Sequence, residues 1–418
     1  MTDNVDQSSH RLRIAVITDL HYSCDHGAAP NRFVPQCAIG QEIDPMASLI
    51  AMVNKEQLTA DLLLCPGDIA DRANHEAFKH GWSELKKLRD SLGASRLIAA
   101  TGNHEVNSRP SKPEKTFTES VTSTLDPVGL LQEIDDYPTD FSDAPERRWI
   151  YWGKGYEIIE TDDLCLVVIN SCHFHVTMTE SEYERGKIGS VALTCLRKEL
   201  DALDLDQRKF RIVLLHHHPI PHEDLNLELG QIEMFAGTKL IEVFEKTYND
   251  WLIIHGHKHL PRLITAQGAS SSPVVFAAGS FGAALGALTL KTKNQFYIIE
   301  LEASVNAVKR YQQRGRVEAF YWASDDWRAS TERAHGLPFG CGFDRNINLS
   351  VLGNQVFETV KRLANNGQLY VKWSELRDQL KSLDYLMPSH IENLRRDLSK
   401  LGVNFEQDDR NWFPTDLS

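Results

Sequence analysis

The chain has 418 residues, of which 42% are hydrophobic and 25% are charged, so its composition is that of a soluble protein with a large core and room for two or three domains. The formal net charge of −13 argues against nonspecific binding to nucleic acid, because an acidic surface gains nothing from the release of phosphate counterions. No apolar run approaches the length of a membrane span, the N-terminal residues contain no apolar signal core, and the seven cysteines are an odd number that favours free thiols, so we expect a cytoplasmic protein.

Strand-like and helix-like segments alternate through the first quarter of the chain. We expect the polar residues 1–11 to be disordered, residues 12–18 to form a strand, and a long loop to run from Tyr22 to Pro45. The segments predicted next are a helix over Met46–Thr59, a strand ending at Cys65, a helix ending at Gly93 and a strand ending at Ala100.

Residues 105–152 interrupt this alternation and are predicted to be an insertion, with a short helix that begins at Pro127 behind Asp126. The alternation then resumes and becomes mostly β after Trp251. The later predicted elements are strand pattern within 156–170, a helix over Ser190–Leu203, the strand "FRIVLL", a helix over Thr238–Tyr248 and a last strand over Val317–Trp322. This order predicts an α/β fold in which helices lie outside layered sheets.

The last part of the chain has a different pattern. Residues 328–345 carry Gly and Pro without periodicity, and we interpret them as a linker. Residues 346–418 contain three short amphipathic helices followed by a strand, a polar turn and a strand, which resembles a winged helix. The sequence therefore predicts a small C-terminal domain that is separate from the first 327 residues.

Five short motifs rich in metal-ligand residues each follow an apolar, strand-like run. They are Asp19-Leu20-His21, "GDIADR" over Gly67–Arg72, "GNHE" over Gly102–Glu105, "HHHP" over His216–Pro219 and "GHKH" over Gly256–His259. Because open α/β sheets build sites at the ends of their strands, we expect these motifs to meet in one place. One such motif would mean little, whereas five in a fixed order indicate a metal centre.

The order of these motifs resembles that of the calcineurin-like metallophosphoesterases, which are two-metal hydrolases of phosphate esters. The resemblance covers about residues 12–300 and implies a four-layer αββα sandwich as a catalytic domain over residues 12–327. The motif style is closest to the bacterial cyclic-nucleotide phosphodiesterase branch. It departs from the Ser/Thr protein-phosphatase branch, because Ala73 stands where that branch has Gly and Thr101 stands where it has Arg.

The resemblance also implies two bound divalent metal ions, with manganese expected and iron, zinc, magnesium or nickel as alternatives. Such a pair acidifies a water and neutralises the phosphoryl oxygens, so that the nucleophile is a metal-bound hydroxide and not a side chain. Carried over position by position, the residues with metal roles are Asp19, His21 and His259 on one ion, Asp68 as the bridge, and Asn103, His217 and His257 on the other ion.

Three further residues receive roles in the chemistry from the resemblance. His104 is implied to protonate the leaving group or to contact the phosphate, and Asp71 is implied to orient it and raise its basicity. Arg72 matches an Arg that contacts phosphate in the protein-phosphatase branch.

The run of three histidines leaves one assignment open. The family pattern is His-x-Pro with the first His as the ligand, which selects His217 and turns His216 to the opposite side of the strand. A slip of one residue would exchange these two faces, since side chains alternate along a strand.

We expect a dinuclear metal-dependent phosphoesterase that hydrolyses phosphodiester bonds in small substrates of the nucleotide or cyclic-nucleotide type. One alternative is a DNA or RNA nuclease of the repair-exonuclease type, in which the C-terminal domain contacts nucleic acid or a partner protein. A second alternative is a regulatory or binding module with weak hydrolysis. The near-balanced charge of the C-terminal domain favours a protein partner or self-association over nucleic acid, and no membrane partner is expected.

Overall fold

The structure of the chain is a computed structural model. It describes residues 10–27, 31–106, 128–140, 144–175, 185–203, 209–221, 233–247, 250–266, 272–285, 292–305, 311–365, 370–403, 405–406, 410–414 and 416–417. Within these ranges no helix is both long enough and apolar enough to cross a membrane.

Regular elements alternate between β and α in the first two-thirds of the described chain. The strands are β1 (Arg11–Val16), β2 (Tyr22–Asp25), β3 (Arg32–Pro35), β4 (Leu62–Cys65), β5 (Arg96–Ala99), β6 (Tyr156–Glu160), β7 (Leu164–Ile169), β8 (Phe210–Leu214), β9 (Leu252–His255), β10 (Arg262–Thr265), β11 (Val274–Ala277), β12 (Gln295–Val305), β13 (Tyr311–Trp322), β14 (Trp327–Ala329), β15 (Cys341–Phe343), β16 (Val371–Lys372), β17 (Phe405–Glu406) and β18 (Asp416–Leu417). The α-helices are α1 (Pro45–Glu56), α2 (His75–Ser91), α3 (Gly129–Gln132), α4 (Glu146–Lys154), α5 (Ser190–Ala202), α6 (Gly237–Thr247), α7 (Leu349–Asn365), α8 (Trp373–Gln379) and α9 (Pro388–Lys400).

Two mixed sheets form the body of the protein. The first has the strand order β14-β13-β12-β1-β4-β5, with β15 also paired to β13. The second has the order β10-β11-β9-β8-β7-β6. Strands β1, β4 and β5 run parallel in the first sheet, and β7, β8, β9 and β11 run parallel in the second. Each sheet therefore has a row of parallel strands whose carboxyl ends lie at one edge.

The alternation of side chains along β7 and β8 shows how the layers are stacked. Leu166 and Ile212 belong to the same core as Val16 and Leu63 of the first sheet, whereas Val167 and Val213 belong to a second core. The first core also contains residues of α1 and α2, and the second contains residues of α5 and α6. Because neighbouring residues of a strand face opposite sides, each strand of the second sheet packs on the first sheet with one face and on helices with the other.

The ends of α1 and α2 follow from their sequences. Pro45 is the first residue of α1, and the Asp44 side chain accepts a hydrogen bond from the Met46 N–H. The Asn74 side chain accepts from the Ala77 N–H at 2.9 Å and starts α2. Helix α1 begins one residue before its predicted start at Met46, and α2 ends at Ser91, two residues before its predicted end at Gly93. The predicted loop Tyr22–Pro45 differs, since it contains the strand pair β2 and β3.

Two other regions differ from expectation in their regular structure. The segment predicted as an irregular linker, 328–345, contains part of β14 and all of β15, both of which pair with β13. Trp327 of β14 pairs with Trp322 across a short turn, whereas Cys341 of β15 pairs with Val317 much earlier in the chain, and local periodicity reveals neither pairing. In the predicted insertion, α3 spans Gly129–Gln132, and the proposed helix start at Asp126 and Pro127 lies outside the described residues.

The C-terminal residues form three helices and a three-stranded sheet with the order β16-β18-β17. This group contacts the first of the two large sheets directly. The Tyr385 hydroxyl donates to Glu302 Oε2 at 2.7 Å, the Gly342 N–H donates to the Leu386 carbonyl at 2.9 Å, and Met387 lies in the main core. The division of the chain into a catalytic domain and a winged-helix-like domain stays a prediction. The contacts just described connect the C-terminal residues to the large sheet.

A buried ion pair connects β8 to the loop before β9, at the opposite end of β8 from the motifs. Arg211 Nη1 donates to both carboxylate oxygens of Asp250, at 2.8 and 2.9 Å, and both residues are buried. The Gln313 side chain on β13 of the first sheet accepts from the Arg211 N–H and donates to its carbonyl, both at 3.0 Å. One arginine thus connects the packing of the sheets to the loop before β9.

We expect Asp250→Ala to lower the free energy of unfolding by about 3–5 kcal/mol, because it leaves the Arg211 guanidinium buried without its carboxylate. Guanidinium unfolding of the full chain measures this. The control is Asp201→Ala, which breaks the exposed pair of Asp201 with Arg197 and should cost about 0.3–0.5 kcal/mol. Equal losses of unfolding free energy in the two variants would show that the buried ion pair stabilises the protein no more than the exposed one.

Candidate metal centre

All five motifs lie where a strand ends, at the edge shared by the two sheets. Asp19 and His21 follow β1, Asp68 follows β4, Asn103 follows β5, His216 and His217 follow β8, and His257 and His259 follow β9. The first three segments belong to one sheet and the last two to the other. The fold therefore brings together carboxylates, an amide and imidazoles from distant parts of the chain, such as His21 and His259, which are 238 residues apart.

The backbone of these segments is unusual for residues that are not glycine. The φ angles at six motif residues lie in the left-handed region: Asp19 (51°), His21 (49°), Asp68 (55°), Arg72 (54°), His257 (80°) and His259 (57°). Each such residue costs on the order of 1–3 kcal/mol, so it persists only where the surroundings hold it. Strain of this kind concentrates at functional sites, and here it falls on the motif residues themselves.

Asp19, His21 and His259 form the first cluster. His259 Nε2 lies 3.2 Å from Asp19 Oδ1 and 3.2 Å from His21 Nε2. Burial lowers the pKa of His21 to about 4, so its imidazole is neutral at neutral pH and one nitrogen keeps a lone pair. The pKa of Asp19 is lowered, because contact with His259 outweighs the effect of burial. An ionised Asp19 carboxylate beside the neutral imidazole of His21 suits a divalent cation.

The Asp68 carboxylate lies between this cluster and a second one. Its Oδ2 is 3.8 Å from His21 Nε2 and 3.2 Å from His216 Nε2, and its Oδ1 accepts from the His104 N–H at 2.9 Å. Burial alone would raise the pKa of Asp68, but His216 and His104 outweigh it and hold the pKa well below its usual range. Asp68 is therefore an anion that faces both clusters.

The second cluster is centred on the Asn103 side chain. Asn103 Oδ1 is 3.0 Å from His257 Nδ1 and 3.0 Å from His216 Nε2. The other ring nitrogen of His216 lies 3.1 Å from the Pro66 carbonyl oxygen, so its N–H donates there and Nε2 faces Asp68 and Asn103. The oxygens around Nε2 require a positive charge at this point, which a proton or a metal ion can supply.

His216 is thus in the centre, although the His-x-Pro pattern predicted it on the other side of the strand. The strand ends at Leu214, so the alternation of faces on which that prediction relied does not continue to residues 216 and 217. His217 is also buried nearby: its Nδ1 is 2.8 Å from Ser171 Oγ and its ring centroid is 4.4 Å from that of His257. The ligand role of His217 stays a prediction, and the structure adds His216 as a candidate.

His104 and Asp71 form a pair at the mouth of the centre. His104 Nδ1 lies 2.9 Å from Asp71 Oδ1, and the His104 side chain is 34% exposed. Burial lowers the pKa of His104, but Asp68 and Asp71 outweigh it and raise the pKa to about 9. Arg72 lies farther out: its side chain is 89% exposed, and its Nε is 3.5 Å from Asp71 Oδ2.

Glu105 received no role from the sequence, yet its buried carboxylate holds the loop of the bridging aspartate. It accepts hydrogen bonds from the backbone N–H groups of Asp68 (2.9 Å), Gly102 (2.6 Å), Ala70 (3.2 Å) and Ile69. Burial, with Asp68 beside it, raises the pKa of Glu105 to about 7. Its position in the motif "GNHE" could have marked Glu105 as a site residue. The sequence could not show which backbone amides donate to its carboxylate, because they meet only in the fold.

The sequence profile for "Calcineurin-like phosphoesterase" matches residues 12–261, which is more than half of the chain. The chain belongs to this family. It is therefore a hydrolase that acts on phosphoric ester bonds, as the motifs predicted. A search among curated protein sequences finds no significant match.

Solved structures with a similar fold include phosphatases. A dimetal phosphatase from Danio rerio has 13% identity and a TM-score of 0.44, with 74% of this chain and 95% of that chain covered. A purple acid phosphatase from yellow lupin has 12% identity and a TM-score of 0.48, with 77% of this chain and 53% of that chain covered. A metallophosphoesterase from Sphaerobacter thermophilus has 12% identity and a TM-score of 0.27, with 83% and 94% covered.

The side chains of this calcineurin-like phosphoesterase fit a pair of divalent ions. Groups of candidate ligand atoms within 4.8 Å of one another include Asp19, His21 and His259 on one side and Asp19, Asp68 and His216 between the sheets. Carboxylate, amide and imidazole groups together suit manganese, iron and zinc alike, so the donor set indicates metal binding without selecting one metal.

In the metal-free protein, we expect Asp71→Asn to lower the pKa of His104 from about 9 toward its ordinary value of 6.5, because the amide no longer stabilises the imidazolium. Protonated His104 stabilises the folded protein fully below pH 6.5, and this stabilisation is lost as the pH rises through about 9. In Asp71→Asn the same loss should be complete at a lower pH. Titration of the His104 ring by NMR measures the pKa. Asp136→Asn, whose carboxylate contacts Trp82 and Lys86 instead, is the control. An unchanged pKa in Asp71→Asn would contradict the pairing.

Proposed function

We propose that this calcineurin-like phosphoesterase hydrolyses phosphodiester bonds in small substrates of the nucleotide or cyclic-nucleotide type, with two bound divalent ions that are manganese in the cell. The observation that carries the proposal is the position of Asp68, whose Oδ2 faces His21 of one ligand cluster and His216 of the other. A carboxylate in that place can hold two cations close together, which phosphoryl transfer by a metal pair requires.

The metal roles follow the two clusters. Asp19, His21 and His259 would hold one ion, Asp68 would be shared, and Asn103 and His257 would hold the other together with an imidazole from the histidine run. When bound, the ions supply a water acidic enough to act as the nucleophile and neutralise charge on the phosphoryl oxygens. The two candidates from the run are His216, which faces Asp68 and Asn103, and His217, which the motif pattern selects.

His104 is proposed to donate a proton to the oxygen of the leaving group. Its imidazolium is stabilised by Asp68 and Asp71, and its partial exposure lets a substrate reach it. Asp71 would hold the ring through Nδ1, so that the other ring nitrogen faces the substrate side. Arg72 is proposed to contact a phosphoryl oxygen of the substrate, for which its exposed side chain is free to move.

Small diesters are favoured over phosphoproteins by the surroundings of Thr101. Protein phosphatases carry an arginine at this position, whereas here Thr101 is buried and its Oγ1 contacts the hydroxyls of Tyr151 (2.8 Å) and Tyr137 (3.1 Å). A residue enclosed in this way cannot bind substrate. The net charge of −13 also disfavours long nucleic acids as substrates. A cytoplasmic location is supported by seven cysteines that are all free thiols.

The substrate class is tested by turnover of the manganese-loaded full chain on cyclic nucleotides, dinucleotides, phosphomonoesters, single-stranded DNA and double-stranded DNA. We expect the highest kcat/KM on the small diesters. Faster cleavage of DNA would replace this proposal with the nuclease alternative, and faster cleavage of monoesters would make the protein a phosphatase.

We expect Asp68→Asn to lose most of the hydrolytic rate and at least one of the two metal ions, because an amide cannot supply the negative charge that both ions share. Metal content by mass spectrometry and turnover of a chromogenic diester measure the two effects. Asp136→Asn should behave as wild type, since its carboxylate bonds to Trp82 and Lys86, away from the metal centre. A variant Asp68→Asn that retains two ions and full turnover would falsify the bridging role.

We expect His104→Ala to slow hydrolysis by roughly 10²–10⁴-fold while both metal ions remain bound, because a positioned acid contributes a rate factor of that order. The loss should shrink as the leaving group becomes a weaker base, since such an oxygen departs without a proton. Rates for a series of aryl diesters with different phenol pKa values measure this. Loss of metal, or the same loss for every phenol, would remove His104 from the role of acid.

A further inference from the structure

We propose that a cavity beside the metal centre binds the nucleobase of the substrate, a flat aromatic ring whose edge carries nitrogen and oxygen acceptors. This cavity, termed the side pocket, has a volume of about 550 Å³ and is lined by residues from three segments, 153–156, 170–174 and 187–195. The described residues that line it belong to none of the five motifs. A base site at this position rests on the proposed hydrolysis of nucleotide-type diesters, and it would hold the part of the substrate that the metal ions do not.

Two walls of the side pocket begin at the ring of His217, a candidate ligand of the dinuclear centre. On one wall, Ser171 Oγ lies 2.8 Å from His217 Nδ1, and the preceding residue, Asn170, lines the pocket. On the other wall, a Cβ at Gly186 would lie 2.4 Å from His217 Nδ1, and the next residue, Lys187, lines the pocket. The Lys187 N–H donates to the Ser171 carbonyl oxygen at 2.8 Å and joins the two walls. The pocket therefore starts one residue away from groups that contact His217, so a substrate held at the metal ions can extend into it.

The walls of the side pocket are flat and mostly apolar. Phe174 and His173 stand edge to face, with their ring centroids 4.9 Å apart. Tyr156 is buried and contributes its ring from the start of β6. Burial lowers the pKa of His173, so its ring is neutral at neutral pH and adds an uncharged face. Nucleobases stack on aromatic side chains of this kind, because every base has a π-face.

Glycines keep the space between these walls open. A Cβ at Gly189, the residue before α5, would lie 3.2 Å from Phe174 Cζ. The backbone of Gly189 is extended, with a φ of −72°, so a larger residue can adopt it. Gly153 is in the last turn of α4, and no atom of the described residues lies within 4 Å of the place where its Cβ would be. A larger side chain at either position would therefore occupy pocket space without displacing backbone.

Lys187 supplies a hydrogen-bond donor for the edge of a base. Its Nζ lies 5.1 Å from the centroid of the Phe174 ring, where the ring face attracts a cation. From this position the ammonium can donate to a nitrogen or a carbonyl oxygen of a base held by the same wall. Lys154, a second lysine of the pocket, is paired with Glu199 at 2.7 Å. Apolar faces with a positioned donor fit a nucleobase better than a second phosphate, which would require several unpaired cations.

The test is the binding of adenosine and of ribose to the metal-free full chain, followed by saturation-transfer NMR on the protons of base and sugar. The two probes share a sugar and differ in the base, and neither needs metal ions or hydrolysis. We expect adenosine to bind, with the strongest transfer at its base protons, and ribose not to bind. Phe174→Ala should weaken the binding of adenosine by roughly 5- to 150-fold, the range that loss of a base stack gives.

Two variants fill the side pocket and should abolish the binding of adenosine, namely Gly189→Leu and Gly153→Leu. The second replaces a helical glycine by a better helix former, so it should fold at least as well as wild type. The matched control is Trp149→Ala, which removes an exposed aromatic side chain of α4 from outside the pocket and should leave adenosine binding unchanged.

Wild-type protein that binds no adenosine, or binds ribose equally well, would overturn the proposal whether or not any variant folds. Adenosine binding that survives both filling variants would overturn it too. The base site and the proposed hydrolysis fail separately, because binding is measured without turnover. If adenosine binds in the pocket and the manganese-loaded chain cleaves no small diester, the proposed hydrolysis is wrong and the pocket remains a nucleoside site. If Gly189→Leu cleaves cyclic nucleotides with an unchanged KM, the hydrolysis stands and the base site is wrong.

Discussion

The structure of the site depends on one buried carboxylate, Asp68, which is held ionised between two ligand clusters. It follows Gly67, whose φ of +118° is a backbone conformation that glycine adopts readily and other residues rarely do. A Cβ at Gly67 would lie 2.7 Å from the Gly102 nitrogen. The loops after β4 and β5 therefore touch backbone to backbone. Glu105 accepts from amides on both loops, which fixes the Asp68 backbone relative to Asn103. A second acid, Glu105, thus determines where the Asp68 carboxylate lies.

The residues around the Asp68 carboxylate come from both sheets, so the site needs two packed sheets. His21 comes from the first sheet and His216 from the second, and both approach Asp68 Oδ2 within 4 Å. Their separation is set by the core between the sheets, where residues such as Val16 and Leu214 interlock. Interiors packed at crystal-like density transmit small displacements, so a change in this core would move one ligand cluster against the other.

Much of this site could be predicted from the sequence, because metal ligands at strand ends are local signals. Asp19, His21, Asn103, His257 and His259 were singled out by motif, and the structure gathers all of them. The histidine run was less predictable: which of His216 and His217 faces Asp68 depends on where β8 stops, and that is decided by pairing with β9. The strands β14 and β15 were also hard to predict, because they are short and form only by pairing with β13. The amides that Glu105 accepts from likewise come from two loops that meet only in the fold.

The charges of the centre also reconcile an acidic protein with an anionic substrate. Asp19 and Asp68 are held ionised, while burial lowers the pKa of His21, His217 and His257 so that these imidazoles are neutral. Asp19 and Asp68 are therefore the charges that attract cations to the ligand set. Two divalent ions add four positive charges to two carboxylates and reverse the local field, so that a phosphate is attracted only to the loaded centre. The net charge of −13 is a sum over the whole chain, and at physiological salt the field of its exposed charges is screened beyond about 8 Å. The attraction of a phosphate ester is then a property of the metal-loaded centre.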